Sequence, residues 1–225
     1  MFTYARRRRN RIGVLAGVAL TAFSVTAASS HARQIDVREL PTSTPQNAKF
    51  ASLSAGTTYK ASLVSPKPKV TPTVRGWRGT QFLTQRHRKA AYETVGLLWR
   101  DRSDRGILIL SGPAVTLSPA ATIARAQRPD WNFAPYDPPG PVQRWTVAGR
   151  QALYFDATAP PPGEWTLVGS NPPEVRIVHD RSFRMAALNV RGQTVVIVIA
   201  APAADFPQFL PIAKRLVASL RFTPS

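Results

Sequence analysis

Outside the first 32 residues, His87 and His179 are the only side chains suited by ordinary pKa to proton transfer near neutral pH, and the chain has no cysteine. Neither histidine has an acidic or second histidine partner at the spacing that sets two metal ligands on one helical face. His179 and Asp180 invite reading as an acid–base pair, but neighbours on a strand point to opposite faces, and the pair reads as a turn. Ser111 has Ile109 and Pro113 where a nucleophile elbow needs glycines. Asp101 and Asp104 resemble the paired carboxylates of glycoside cleavage, yet Arg100, Arg102 and Arg105 surround them. Neighbouring cations hold a carboxyl pKa low, the reverse of what a general acid needs. No glycine-rich phosphate loop follows any predicted strand. The sequence therefore nominates no catalytic, cofactor-binding or metal-binding residue and predicts no cofactor. A hydrolase whose site is scattered through the chain stays open as the alternative to a non-catalytic protein.

Two features point to binding. Between Glu39 and Glu93 there is no acidic residue, whereas Lys49, Lys60, Lys67, Lys69, Arg75, Arg78, Arg86, Arg88 and Lys89 all lie there. If the strands from Val70 to Arg88 share an edge, then Lys67, Lys69, Arg75, Arg78, Arg86, Arg88 and Lys89 form a candidate anion-binding surface. The simpler explanation is a solvated basic face, because arginine outnumbers lysine 24 to 6 and such a skew follows from codon bias alone. Only Trp77 and Phe82 are interleaved with these charges, too few rings for base stacking, which disfavours sequence-specific nucleic-acid recognition. The second feature is Pro129–Pro141, where Trp131, Phe133 and Tyr136 sit among five prolines. With Trp165 as a neighbouring wall, these rings make a candidate binding loop; folded inward, they would instead cap an open edge of the core.

The elements that must position these groups are mostly strands. Short apolar runs separated by Pro, Gly and charged turns predict strands over Val70–Val74, Tyr92–Trp99, Gly106–Leu110, Arg144–Val147, Gln151–Asp156, Glu174–Val178, Phe183–Val190 and Thr194–Ala200. Hairpin connections are expected over Trp99–Gly106, His179–Ser182 and Arg191–Gln193, pairing the flanking strands antiparallel. Val195–Ile199 is continuously apolar, as in a central strand buried on both faces. Two helices are expected. Ser118 and Pro119 cap and open Ala120–Gln127. The second begins near Asp205 and repeats Phe206, Phe209, Leu210, Ala213, Leu216, Val217 and Leu220 at three- and four-residue spacing; Pro211 suggests a regular start only at Leu210.

At the N-terminus, Arg6–Arg9 and Arg11 precede a weakly apolar Ile12–Ala28 and a small-residue Ser30-His31-Ala32, the order of a secretory signal. Gly13, Gly17, Thr21, Ser24 and Thr26 interrupt that run, and a span needs about 20 strongly apolar residues, so cleavage is favoured over an N-terminal membrane anchor. Removing residues 1–32 takes away five arginines and no acid, leaving 25 basic against 12 acidic residues, or +13 rather than +18. Arg33–Thr58 is rich in Ser, Thr, Ala, Pro and Gln without apolar periodicity and reads as a flexible spacer. The expected organisation is a signal peptide over 1–32, a spacer over 33–58 and a single α+β domain over 59–225.

The closing segment reads Gly192-Gln-Thr-Val-Val-Ile-Val-Ile-Ala-Ala-Pro202, then Asp205-Phe206, Phe209-Leu210-Pro211, and ends Ala218-Ser-Leu-Arg-Phe222. This resembles the end of PsbP-like domains and of small secreted actinobacterial domains of the same architecture. Val147-Ala-Gly149 followed by Ala152–Asp156 extends the resemblance over roughly the last 80 residues; Tyr59–Ser62 and Gly76–Gly79 resemble the opening of such domains. The resemblance implies a mostly antiparallel sheet flanked by a C-terminal helix and one short helix, a PsbP-like sandwich, and carries over no catalytic residue. The resulting expectation is an exported, non-catalytic binding or accessory protein, secreted or held in the periplasm or cell envelope. Its candidate partners are an anionic envelope polymer, a lipid surface or another envelope protein.

Overall fold

A computed structural model describes residues 36–44, 47, 49–86, 89–100, 102–113, 115–128, 138–159, 165–169, 173–177 and 180–223, with backbone alone for 84–86, 89–91, 103, 165–169 and 173–177. Its centre is the continuously apolar run identified above. Strand β14 (Gln193–Pro202) pairs antiparallel on one side with β8 (Arg102–Ser111) and on the other with β13 (Arg181–Val190). Residues 194–199 are all buried, so the strand is covered on both faces. Beyond β8 lie β7 (Lys89–Trp99) and β6 (Trp77–Arg86); beyond β13 lie β10 (Arg150–Ala159) and β9 (Gln143–Val147). Short β2 (Thr42–Ser43) and β3 (Ala51–Ser52) both pair with β6 and complete a nine-stranded sheet. The fold class is α+β, mostly antiparallel.

Alternation along β13 and β14 sorts side chains into two cores. Ala186, Leu188 and Val190 with Val195, Ile197 and Ile199 face helix α2 (Phe206–Ala218), whose Phe206, Phe209, Ala213, Leu216 and Val217 form the buried stripe. Phe183, Met185, Ala187, Val196 and Val198 face the other way, onto Ile123 and Ala126 of α1 (Pro119–Ala126). The cap of α1 is as expected: the Ser118 side chain accepts from the Ala121 N–H, with Pro119 in the first turn. Helix α2 starts at Phe206 rather than Leu210 and runs through Pro211. The bond forfeited there is offset by burial of Phe206 and Phe209 one turn earlier.

A four-stranded sheet, ordered β1 (Val37–Glu39), β4 (Thr58–Lys60), β5 (Lys67–Val70) and β15 (Arg221–Thr223), packs Tyr59 and Val70 into the same core as α2. A separate pair is formed by β11 (Trp165–Gly169) and β12 (Pro173–Ile177). This differs from the expected hairpin, since β12 pairs with β11 while β13 pairs with β10 and β14.

The stretch expected as a spacer supplies β1, β2 and β3, and buries Leu40 and Leu53 at 1% and 4% exposure. The receiving surface is Gly79 of β6, where a Cβ would lie 3.0 Å from Leu40 Cδ2 and 3.1 Å from Leu53 Cδ1. Isolated leucines in a polar segment carry no period, which is why their packing is invisible in the pattern. Strand β6 escaped for a related reason: Thr80 and Gln81, adjacent and so on opposite faces, are both buried in it, and each covered side is partly polar. Gln81 is satisfied there, its amide donating to Leu40 O at 2.8 Å and to Glu39 Oε1 at 2.7 Å, and its Oε1 accepting from the Leu63 N–H at 3.0 Å. Three two-residue turns close hairpins with positive φ at their first residues, Arg100 (54°), Ala148 (51°) and Arg191 (57°). The connection expected over Trp99–Gly106 is shorter than that, because β7 and β8 stay paired up to Trp99 opposite Arg102. All described residues belong to one compact unit, Ile35–Ser225.

Candidate functional site: two clusters of cations

The basic stretch is split between sheets. Lys67 and Lys69 lie on β5 of the four-stranded sheet, while Arg78 lies on β6 of the nine-stranded sheet and Arg75 in the connection between them. Strands from Val70 to Arg88 therefore do not share one edge. Arg86 and Lys89 face each other across the β6–β7 ladder. Arg88, His87 and His179 lie outside the described residues, as do Trp131, Phe133 and Tyr136 of the candidate loop; Trp165 opens β11, opposite Ile177.

The first cluster is a ladder. On β5, Lys67 and Lys69 alternate with buried Pro68 and Val70, so both lysines project from the outer face of the small sheet. Lys69 is directly opposite Lys60 on β4 and directly opposite Arg221 on β15. Three cations thus stand side by side across three strands, an arrangement that disfavours folding, because like charges directly opposite repel. One end is relieved by Glu39, whose carboxylate lies 3.5 Å from Lys60 Nζ. Burial works to raise the Glu39 pKa, but hydrogen bonds from the Ser62 N–H, the Gln81 amide and the Ser62 hydroxyl, with the Lys60 charge, outweigh it and hold the carboxyl below its ordinary value. At the other end, the Arg221 guanidinium donates to the carbonyls of Ala218 and Leu220. Lys69, in the middle, has no carboxylate within ion-pair distance among the described residues. The sequence signal for this ladder was present in Lys60, Lys69 and Arg221, but Arg221 sits 152 positions from its neighbour and only the register unites them.

The second cluster is a cleft of about 460 Å3 lined by Ser52, Leu53, Ser54, Ala55, Arg75, Gly76, Trp77, Arg78 and Arg100. Arg78 donates from Nε to Phe50 O at 3.0 Å and from Nη2 to the same oxygen. Arg100 sits in the left-handed region, which costs roughly 1–2 kcal/mol for a residue with a Cβ. Its N–H donates to Gly76 O at 2.7 Å, and its guanidinium lies over the Trp99 ring at 5.3 Å. Gly76 beside it takes φ 104°, a conformation that favours glycine; a Cβ there would meet the Trp99 ring and Arg100 Cγ at ordinary contact distance. The sequence puts Arg100 in the hairpin connection over Trp99–Gly106, far from Arg75 and Arg78, and only the fold joins the three.

Several other charged groups are paired internally. Arg184 is buried, makes two 2.7 Å hydrogen bonds to Asp156 and stacks 4.0 Å from the Tyr154 ring. Arg105 is paired with Asp205 at the start of α2. Asp104, one of the two carboxylates weighed for acid catalysis, is hydrogen-bonded by Arg102, and this holds its pKa below the ordinary value, as the charge pattern predicts. Among the described residues no three His, Asp or Glu side chains are grouped as metal ligands would be. No helix among them is long and apolar enough to cross a membrane.

What the elements define is a sheet-dominated α+β domain with helices on both faces of its main sheet and two clusters of cations. No protein-family model matches the chain, and no curated protein matches it. Among solved structures it is similar to the solution structure of cyanobacterial PsbP (CyanoP) from Synechocystis sp. PCC 6803, at 8% identity over 78% of this chain and 98% of that chain, with a TM-score of 0.45. It is also similar to the crystal structure of LpqN, involved in cell envelope biogenesis of Mycobacterium tuberculosis, at 14% identity over 65% of this chain and 84% of that chain, with a TM-score of 0.33. The neighbours thus include a PsbP, the group that the closing segment resembles. At these identities the likeness concerns fold alone.

Proposed function

We propose that this is an exported, non-catalytic binding or accessory protein that holds an anionic component of the cell envelope on the outer face of its small sheet. The observation that carries this reading is the Lys60–Lys69–Arg221 ladder. Repulsion among directly opposed cations works against the fold, and an anionic partner relieves it. The order of basic, apolar and small residues over 1–32 supports export, and the +13 balance of the remaining chain supports attraction to anionic surfaces.

Binding of the mature protein to heparin beads and to phosphatidylglycerol-containing vesicles, measured as salt is raised, tests the reading. Retention should be strong near 0.05 M salt and fade as the Debye length falls below about 8 Å. It should also weaken in Lys69→Gln. No retention even at low salt would remove the anionic surface from the proposal. Mass measurement of the exported protein's N-terminus tests export separately, with removal of a segment ending near Ala32 expected.

A further inference from the structure

From the second cluster we infer a discrete binding site for a phosphate ester, in the cleft between the β3 end, the start of β6 and the β7–β8 turn. This goes beyond the ladder, which is an open face on a different sheet. Three arginines, Arg75, Arg78 and Arg100, line one concavity, together with Ser52 and Ser54. Among its described lining residues there is no carboxylate, and no described carboxylate pairs with Arg75 or Arg100. The volume of about 460 Å3 lies within the range of small-molecule sites, enough for a phosphate with an attached glycerol- or sugar-sized group.

Two of the three arginines are positioned before any ligand arrives. Arg78 is anchored on Phe50 O, and Arg100 is fixed at its backbone by Gly76 and at its guanidinium by Trp99. A hairpin turn needing positive φ takes Asn, Asp or Gly most readily. Arginine there places a planar donor at the cleft against the local conformational preference. The number of guanidiniums selects the ligand class. One arginine matches both oxygens of a carboxylate, whereas a phosphate offers three or four oxygens and up to two charges, and so engages several forks at once. The hydroxyls of Ser52 and Ser54 can donate to the remaining oxygens or to the esterified group.

The test is titration of the folded protein with glycerol 3-phosphate, with acetate as the carboxylate comparison and phosphatidylglycerol vesicles as the lipid source. Fluorescence and indole NMR signals of Trp77 and Trp99 give the readout. The double variant Arg75→Gln/Arg100→Gly keeps the turn, because glycine tolerates φ near 54°; Arg150→Gln, at the start of β10, removes one charge elsewhere. Glycerol 3-phosphate should bind the wild type and Arg150→Gln alike and at least tenfold more weakly in the double variant. Vesicle binding lost in the double variant without binding of the free ester would assign the site to a lipid headgroup. Equal binding by the double variant, equal preference for acetate, or no response to either phosphate source would overturn the inference. Lys69→Gln separates the two sites: weaker vesicle retention with unchanged ester binding speaks for both, and ester binding alone would leave the cleft standing without the ladder.

Discussion

The central strand pair β13–β14 and the four-stranded sheet are held by opposite means. Over Phe183–Leu188 and Val195–Ile199 nearly every side chain is apolar and buried, and the lone exception, Arg184, is fully paired with Asp156. The small sheet has one buried face, an outer row of cations, and a polar link to the main sheet through Glu39, Gln81 and Ser62. The first region is optimised for folding; the second keeps charge where folding would rather not have it. The anion-binding face proposed above lies on the second.

Four substitutions break or sharpen this contrast. Phe209→Ala, beneath α2 and against Trp77 at 6.1 Å, should lose about 3–5 kcal/mol in denaturant unfolding, the largest effect expected. Leu40→Ala should lose about 2–5 kcal/mol by the same measure, where a residue of a flexible spacer would lose almost nothing. Glu39→Ala should lose about 1–3 kcal/mol, because Gln81 keeps a buried amide with one partner fewer. The folded pKa of Glu39 is lowered, so its contribution is complete above the unfolded value of about 4.3 and disappears as pH falls through the lower folded value. Thermal melts from pH 6 to pH 3 should therefore show a shallower acid loss in the variant than in the wild type. Lys69→Gln should raise stability by ~0.2–1 kcal/mol while weakening vesicle retention. A destabilised Lys69→Gln would mean that the ladder is compensated within the fold.

The sequence made the first region legible and hid much of the second. Val195–Ile199, the α2 stripe and the Ser118 cap announce themselves, because apolar period and capping chemistry are local. Strand β6 does not, since Gln81 is buried only by virtue of Leu40 and Glu39 about 40 residues earlier. Strand β5 was expected over Val70–Val74 but occupies Lys67–Val70, its Lys-Pro-Lys opening being poor strand sequence that pairing with β4 and β15 overrides. The acid-free run was visible, yet its split between two sheets, and its completion by Arg100 and Arg221, depend on long-range register.

That register also sets an order of events. The pairing of β5 with β15, and the bond from the Thr71 N–H to Ser219 Oγ across 148 residues, can form only after nearly the whole chain is available. Contacts of such separation close large loops and form slowly. The early strands and the hairpins, whose partners lie close in sequence, can gather first. The cationic row is complete only with Arg221 in place, so the proposed anion-binding face is a property of the finished fold and of no shorter piece of the chain.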